Sequence, residues 1–489
     1  MFKRSSGVLL HVSSLPGPYG IGDIGPSAHA WVDWLTDAGC RYWQVLPLGP
    51  TGYADSPYSS LSSFAGNPNL ISPALLAEDG LLDSLEGEGA SARVNYGKVI
   101  PQKWNLLQEA HSRLSKDIKK EFLEFQERED SWLASYTLFM ALKSAHGGGS
   151  WTSWPTDLRT RQAMSLSDAR FRLTDEMEWH AFGQFIFYRQ LDALREYAMA
   201  RGVEIIGDVP LYVASDSADV WVNPELFAVD SASGRPSLVA GVPPDMFSPV
   251  GQWWGNPLYR WEAHAADDYA WWSGRLEAFL RQADVLRLDH FTGFARYYEI
   301  DGDAENATGG VWRDGPGASL FKAAQRRLGE LALIVEDLGP LGYVVEDLRV
   351  QLGYPGMKVL QEAFDGRPDN QFLPENYQED CVVYTGTHDN DTARGRLEGE
   401  NDEYRRQALA FTDGGHETFA WDLLSRAWES VAVIAIAPMQ DLLGLGSEAR
   451  MNYPGTAEGN WQWRMTEGAA TSVLAENLSM LNENTRRSR

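Results

Sequence analysis

Three short segments carry residues suited to acid–base and nucleophilic chemistry: Leu286-Arg287-Leu288-Asp289-His290, Ile334-Val335-Glu336-Asp337-Leu338 and Thr387-His388-Asp389-Asn390. Each sets an acidic residue at or just past the end of a short apolar run that reads as a buried parallel strand. Two carboxyls, one ionised and one protonated, are what cleavage of a glycosidic bond with retention requires. A third acid suits a site that stabilises a positively charged transition state. A single acid in such a place commonly caps the next helix. Three of them, with Arg287 and His388 alongside, point instead to a reaction centre. Strand alternation puts 285, 287 and 289 on one face, with Arg287 one layer beneath Asp289. Arg287 is therefore expected to keep Asp289 ionised, as a nucleophile needs. In the next strand 332, 334 and 336 face inward, with Glu336 at the mouth and Asp337 turned aside. Burial and the charge of Asp289 are expected to raise Glu336 so that it can donate a proton. Asp389 is placed to grip sugar hydroxyls and the developing charge, with His388 hydrogen-bonding beside it.

Carboxylates converge from several strand ends in a (β/α)₈ barrel. Eight apolar runs fit that plan: Gly7–His11, Tyr42–Leu46, Val203–Asp208, Val285–Asp289, Leu331–Glu336, Met357–Leu360, Cys381–Thr385 and Val431–Ala437. Helical stripes separate most of them; Phe187, Leu191, Leu194 and Ala198, for example, precede Gly202. The fold class is α/β, a closed TIM-type barrel in a single catalytic domain over 1–489. Three segments are too long for ordinary connections and read as insertions: a mainly helical one at about 60–175, a Pro/Gly/Trp-rich one at about 209–275, and a loop at about 438–465 over the active site. The polar tail Asn482–Arg489 is expected to fray.

The chain has 489 residues, 44% of them hydrophobic, and a formal charge of −26, which argues against nucleic acid or an anionic membrane as a partner. Cys40 and Cys381 cannot form a disulfide framework, and Val8-Leu9-Leu10 is too short for a signal peptide, so a cytoplasmic protein is expected. Gly20-Ile21-Gly22-Asp23-Ile24-Gly25 matches a dinucleotide fingerprint only nominally, because Pro16, Pro18 and Pro26 interrupt the strand–turn–helix context. The nine histidines form no H-x-x-x-H pair, and Asp301-Gly302-Asp303 lacks the later ligands of a calcium loop. No metal and no cofactor are expected. Of the 19 tryptophans, Trp253-Trp254 and Trp461-Gln462-Trp463 lie in polar loops, where exposed rings suit sugar faces.

These residues, in this order, resemble the amylomaltases, the 4-α-glucanotransferases of the α-amylase clan. The resemblance runs over nearly the whole chain. It includes Ser14–Asp23, Asp55-Ser56-Pro57-Tyr58, Gly207-Asp208-Val209-Pro210, Gly241-Val242-Pro243-Pro244-Asp245, Gln252 with Trp254-Gly255-Asn256-Pro257, and Met451–Gly455 with Gly459-Asn460-Trp461. It implies a barrel with inserted subdomains and no C-terminal β-domain. It further implies Asp289 as nucleophile, Glu336 as general acid/base and Asp389 as transition-state stabiliser. By the same resemblance Ser56, Tyr58, Asp208, Gln252, Trp254, Arg287, His290, Asp337, His388 and Asn460 bind sugar. The implied partners are α-1,4-glucans, with glucose or another glucan as acceptor, joined through a covalent glycosyl-Asp intermediate. A carboxyl separation of ~5–5.5 Å is expected for such a retaining pair. Glu362 departs from the family, which commonly has an aromatic there, and this puts acceptor preference in question. A retaining hydrolase on the same scaffold is the alternative, since the two outcomes differ only in whether sugar or water reaches the intermediate. The sequence leaves monomer and homodimer equally open.

Overall fold

Eight parallel strands form a nearly closed ring. They are β1 (Ser5–Leu9), β2 (Tyr42–Gln44), β3 (Glu204–Val209), β6 (Val285–Leu288), β9 (Leu333–Val335), β10 (Gly356–Val359), β11 (Cys381–Tyr384) and β12 (Ile434–Pro438). The ring is a (β/α)₈ TIM barrel, and its seam between β9 and β10 is bridged where the Val335 amide donates to the Pro355 carbonyl at 3.0 Å. The computed structural model describes residues 2–83, 91–244, 248–339 and 341–489; Asp245 lies outside them. Each of the eight apolar runs overlaps one barrel strand, and those at β2, β6, β9 and β11 contain it whole. Buried on both faces, these strands read as continuous hydrophobic stretches rather than as alternation.

The barrel interior below the mouth is filled by Leu9, Tyr42, Ile206, Val285, Ile334, Met357, Val382, Tyr384, Ile434 and Ile436. Surrounding helices cover the outer face. Helix Pro26–Asp37 buries Trp31, Trp34 and Leu35, and helix Thr174–Ala200 buries the expected stripe of Phe187, Leu191, Leu194 and Ala198. Between β2 and β3 the described chain is helical, including Tyr96–Ser112, Lys116–Arg128 and Asp130–Ala145.

Two features differ from the sequence-based expectation. β4 (Leu238–Val242) and β5 (Gln252–Pro257) do not stand alone; with β7 (Arg296–Asp301) and β8 (Val311–Asp314) they form a four-stranded antiparallel sheet in the order β5-β4-β7-β8. The loop after β3 is thus tied to the chain after β6, a long-range pairing that local patterning does not reveal. The tail is also not frayed. Asn482 and Arg487 are fully buried, and Arg487 donates to the carbonyls of Trp428, Ser5, Ser430 and Ala432. Together with Arg4, which donates to the carbonyls of Trp428, Ser430 and Ala432 as well, its guanidinium satisfies backbone acceptors at the bottom of the barrel.

Close approach of strands has a visible requirement at Gly7 in β1. A Cβ there would lie 2.6 Å from the Tyr42 Cβ and 2.7 Å from the Tyr42 carbonyl oxygen. Gly7→Ala must therefore push β1 from β2. It should cost about 1–3 kcal/mol in a urea unfolding curve, and an unchanged midpoint would show that the pair can part freely.

Candidate active site

Strand register places the first elements of the site. β3 and β6 pair Asp208 with Arg287, and β6 and β9 pair Arg287 with Ile334. Neighbours in register project to the same side of a sheet, so Asp208 and Arg287 meet inside the barrel. Arg287 Nη1 donates to Asp208 Oδ1 at 2.8 Å and Oδ2 at 2.7 Å, and to Asp289 Oδ1 at 3.0 Å. Nη2 lies 2.9 Å from Glu336 Oε2. One guanidinium, with 3% of its side chain exposed, thus holds three carboxylates. Above it the chain turns sharply. His290 adopts a left-handed conformation at φ 48°, and its amide donates to Glu336 Oε2 at 2.7 Å. Ala54 and Trp461, at φ 56° and 61°, line the same cleft. Strained backbone of this kind persists only where surrounding contacts over-determine it, and it gathers at functional sites.

The cleft above these groups has a volume of about 760 Å³. Of the residues expected there, Ser56, Tyr58, Gln252, Trp254, Asp289, His290, Glu336, His388 and Asp389 line it. Tyr58 stacks on His388 with ring centroids 5.0 Å apart, and its hydroxyl donates to Asp208 Oδ2 at 2.8 Å. Trp254 meets the His290 ring edge-on at 5.0 Å and donates from Nε1 to Gln252 Oε1 at 3.0 Å. Asp208 and Arg287 form a buried layer beneath the cleft instead of its wall. Asp337 turns aside: it accepts the Met357 amide at 2.8 Å and lies 3.4 Å from Arg349 Nε. Asn460 is buried in the overhanging loop, accepting the Tyr453 amide and donating to Thr456. Glu362 does not line the cleft either; its carboxylate accepts from Asn390 Nδ2 at 3.3 Å and stands 3.8 Å from Arg396.

Sequence reasoning missed Tyr212, Asn256 and Asn452, which also line the cleft, as does Trp253, expected there as an exposed ring. Asn256 and Asn452 lie inside the motifs quoted above, but nothing in a motif distinguishes a wall residue from a turn residue. Of the tryptophans expected to be exposed, Trp253 is, while Trp461 and Trp463 are buried. Trp461 still lines the cleft.

The expected order of proton affinities is reversed in the free site. Burial, then the charge of Glu336, raises Asp289 well above the ordinary carboxylate range, against the pull of Arg287. Glu336 is partly buried too, yet Arg287 and the His290 amide outweigh that and lower it. The reason is geometric: Nη2 serves Glu336, while Nη1 is divided between Asp208 and Asp289. Of the two carboxyls, Asp289 therefore has the higher proton affinity. Asp208 is raised by burial, with Arg287 opposing. A carboxyl so raised costs stability while ionised, and the cost lifts as pH falls through its raised value. Arg287→Met should therefore destabilise the fold by about 3–5 kcal/mol at neutral pH, and the deficit should shrink on acidification. Equal deficits at pH 7 and pH 5 in urea unfolding would contradict this.

A family profile described as 4-alpha-glucanotransferase matches residues 10–471. The chain is 47% identical to the 4-alpha-glucanotransferase of Thermus thermophilus, over 99% of both chains. It is 44% identical to that of Synechocystis, over 98% of this chain and 97% of the relative. Among solved structures, the amylomaltase of Streptococcus agalactiae in complex with acarbose superposes with a TM-score of 0.96 at 36% identity, covering both chains completely. With its barrel, its clustered acids and this likeness along its full length, the chain belongs to the 4-alpha-glucanotransferase family.

Proposed function

We propose that this protein disproportionates α-1,4-glucans by a retaining double displacement, with the barrel and its inserted segments acting as one catalytic unit. The observation that carries the reading is the pair Asp289 and Glu336 on one buried guanidinium, facing Asp389 across a cleft walled by aromatic rings. A glucan bound there presents its anomeric carbon to Asp289 and its glycosidic oxygen to Glu336. With the glucan bound, Glu336 carries the proton and delivers it to the departing 4-oxygen while Asp289 Oδ forms the glycosyl ester. Asp389 stabilises the oxocarbenium-like charge and holds ring hydroxyls. The reducing-end fragment then leaves. Glu336, now ionised beside Arg287, takes the proton from the 4-hydroxyl of glucose or another glucan, and the new α-1,4 bond releases Asp289. Tyr58, His388, Gln252, Trp254, His290 and Ser56 contact the sugar, while Asp208, Arg287, Asp337 and Asn460 act by holding the groups that do.

Incubation with maltotriose or longer maltodextrins should yield glucose and a ladder of longer oligosaccharides at constant total reducing ends. Rising reducing ends without longer chains would make the protein a hydrolase. Glu336→Gln should lower turnover of maltodextrins about 10²–10⁴-fold. It should still accept an α-glycosyl fluoride, whose leaving group needs no proton, and trap a glycosyl adduct on Asp289 detectable by mass. An adduct on any other residue would overturn the assignment.

A further inference from the structure

The segment that overhangs the cleft also grips Asp389. Asn452 Nδ2 donates to Asp389 Oδ1 at 2.6 Å, and Arg450 Nη2 donates to the Asp389 carbonyl at 2.7 Å. Arg450 Nε closes the arrangement on the Asn452 carbonyl at 2.7 Å, with its guanidinium 4.3 Å over the Tyr453 ring. Asp389 thus has both its carboxylate and its main chain fixed from a segment about 60 residues away. Its own neighbour offers this carboxylate less: His388 Nε2 stands 3.4 Å away, long for a hydrogen bond. The base of the Asp389 loop is anchored elsewhere: buried Asp441 accepts from Thr385 Oγ1 at 2.6 Å and from the Ala393 amide at 2.7 Å. That anchor fixes where the loop sits. Asn452 fixes where the carboxylate points.

The same segment is one braced turn. Asn460 accepts the Tyr453 amide at 2.9 Å and donates to the Thr456 carbonyl at 2.9 Å and its hydroxyl at 3.1 Å. Asn452, Pro454–Ala457 and Trp461 all line the cleft. A chain seated against that wall presses on the element that aims Asp389. We infer that Asn452 is a positioning residue for Asp389, and that the Asn460-braced turn couples glucan seating beneath the overhang to the aim of the stabilising carboxylate. The inference rests on the transferase reading given above. An amide N–H donating to a carboxylate is a charge-assisted bond with defined direction, so its loss releases rotamers of Asp389. Because Asp389 acts on charge that develops during bond cleavage, misaiming it is felt in the transition state more than in the bound ground state.

The test measures initial rates of maltodextrin disproportionation for wild type, Asn452→Ala, Asn452→Asp, Asn452→Ser, Asn460→Ala and the Asn452→Ala/Asn460→Ala double variant, with Tm for each. Asn452→Ala and the same-sized Asn452→Asp should lower kcat about 10–100-fold, the scale of a small misplacement of a reacting group, with KM within about twofold. Asn452→Ser keeps a hydroxyl donor and should recover part of kcat. Asn460→Ala should show the same kcat-weighted loss, and the double variant should lose no more than the worse single, because both act through one contact. A wild-type kcat for Asn452→Ala, a loss that appears only in KM, or additive losses in the double variant would overturn the coupling. If Asn452→Ala does not fold, Asn452→Asp carries the same comparison. A wild-type protein that fails to disproportionate maltodextrins would remove the transferase reading itself, and the coupling with it.

Discussion

The site depends on one buried cation. An ionised carboxylate moved into a dry interior costs several kcal/mol even after relaxation, and three acids crowded together would repel one another as well. Arg287 makes the cluster possible by offering both terminal nitrogens upward: Nη1 to Asp208 and Asp289, Nη2 to Glu336. A lysine, as a point charge without a planar fork, could not address three partners at these separations. Asp208 has no side-chain exposure, so it serves as a fixed counter-charge that also anchors the Tyr58 hydroxyl. The floor of the cleft is therefore an electrostatic unit whose parts cannot be exchanged singly.

Its precision comes from two structural sources. The floor is set by strand register, since Asp208 and Arg287 are in-register partners on adjacent parallel strands and Asp289 follows two residues later on the same face. The walls and overhang are set by loops held in shape by specific polar contacts, among them Trp254 to Gln252 and Asn460 across its turn. Strands give rigid placement; loops give aromatic surface and access. The left-handed turn at His290 joins the two, because it starts at the strand end and delivers a backbone amide to Glu336.

Much of this was legible in the residues. Each barrel strand overlaps an expected run because a strand buried on both faces is largely apolar. The layer relation of Arg287 to Asp289 followed from the period of two. Other features were hidden for identifiable reasons. The antiparallel sheet pairs β4 with β7, almost 60 residues away, and neither strand carries the partner's signature. Arg487 and Asn482 looked like a solvated tail, yet their polar groups are satisfied by backbone and side chains brought from elsewhere in the chain. Asp337 and Glu336 are adjacent, and alternation correctly separated them; only the resemblance drew Asp337 into the sugar site.

The barrel, the three acids at or beyond its strand ends and the cation beneath them can be read from the residues, because periodicity and residue type are local properties. Only folding sets which carboxyl has the higher proton affinity and which loop contacts Asp389. Both depend on distances between groups far apart in the chain: Glu336 to the His290 amide and to Arg287, Asn452 to Asp389. Electrostatic and hydrogen-bond energies vary steeply with such distances, and only the folded chain fixes them.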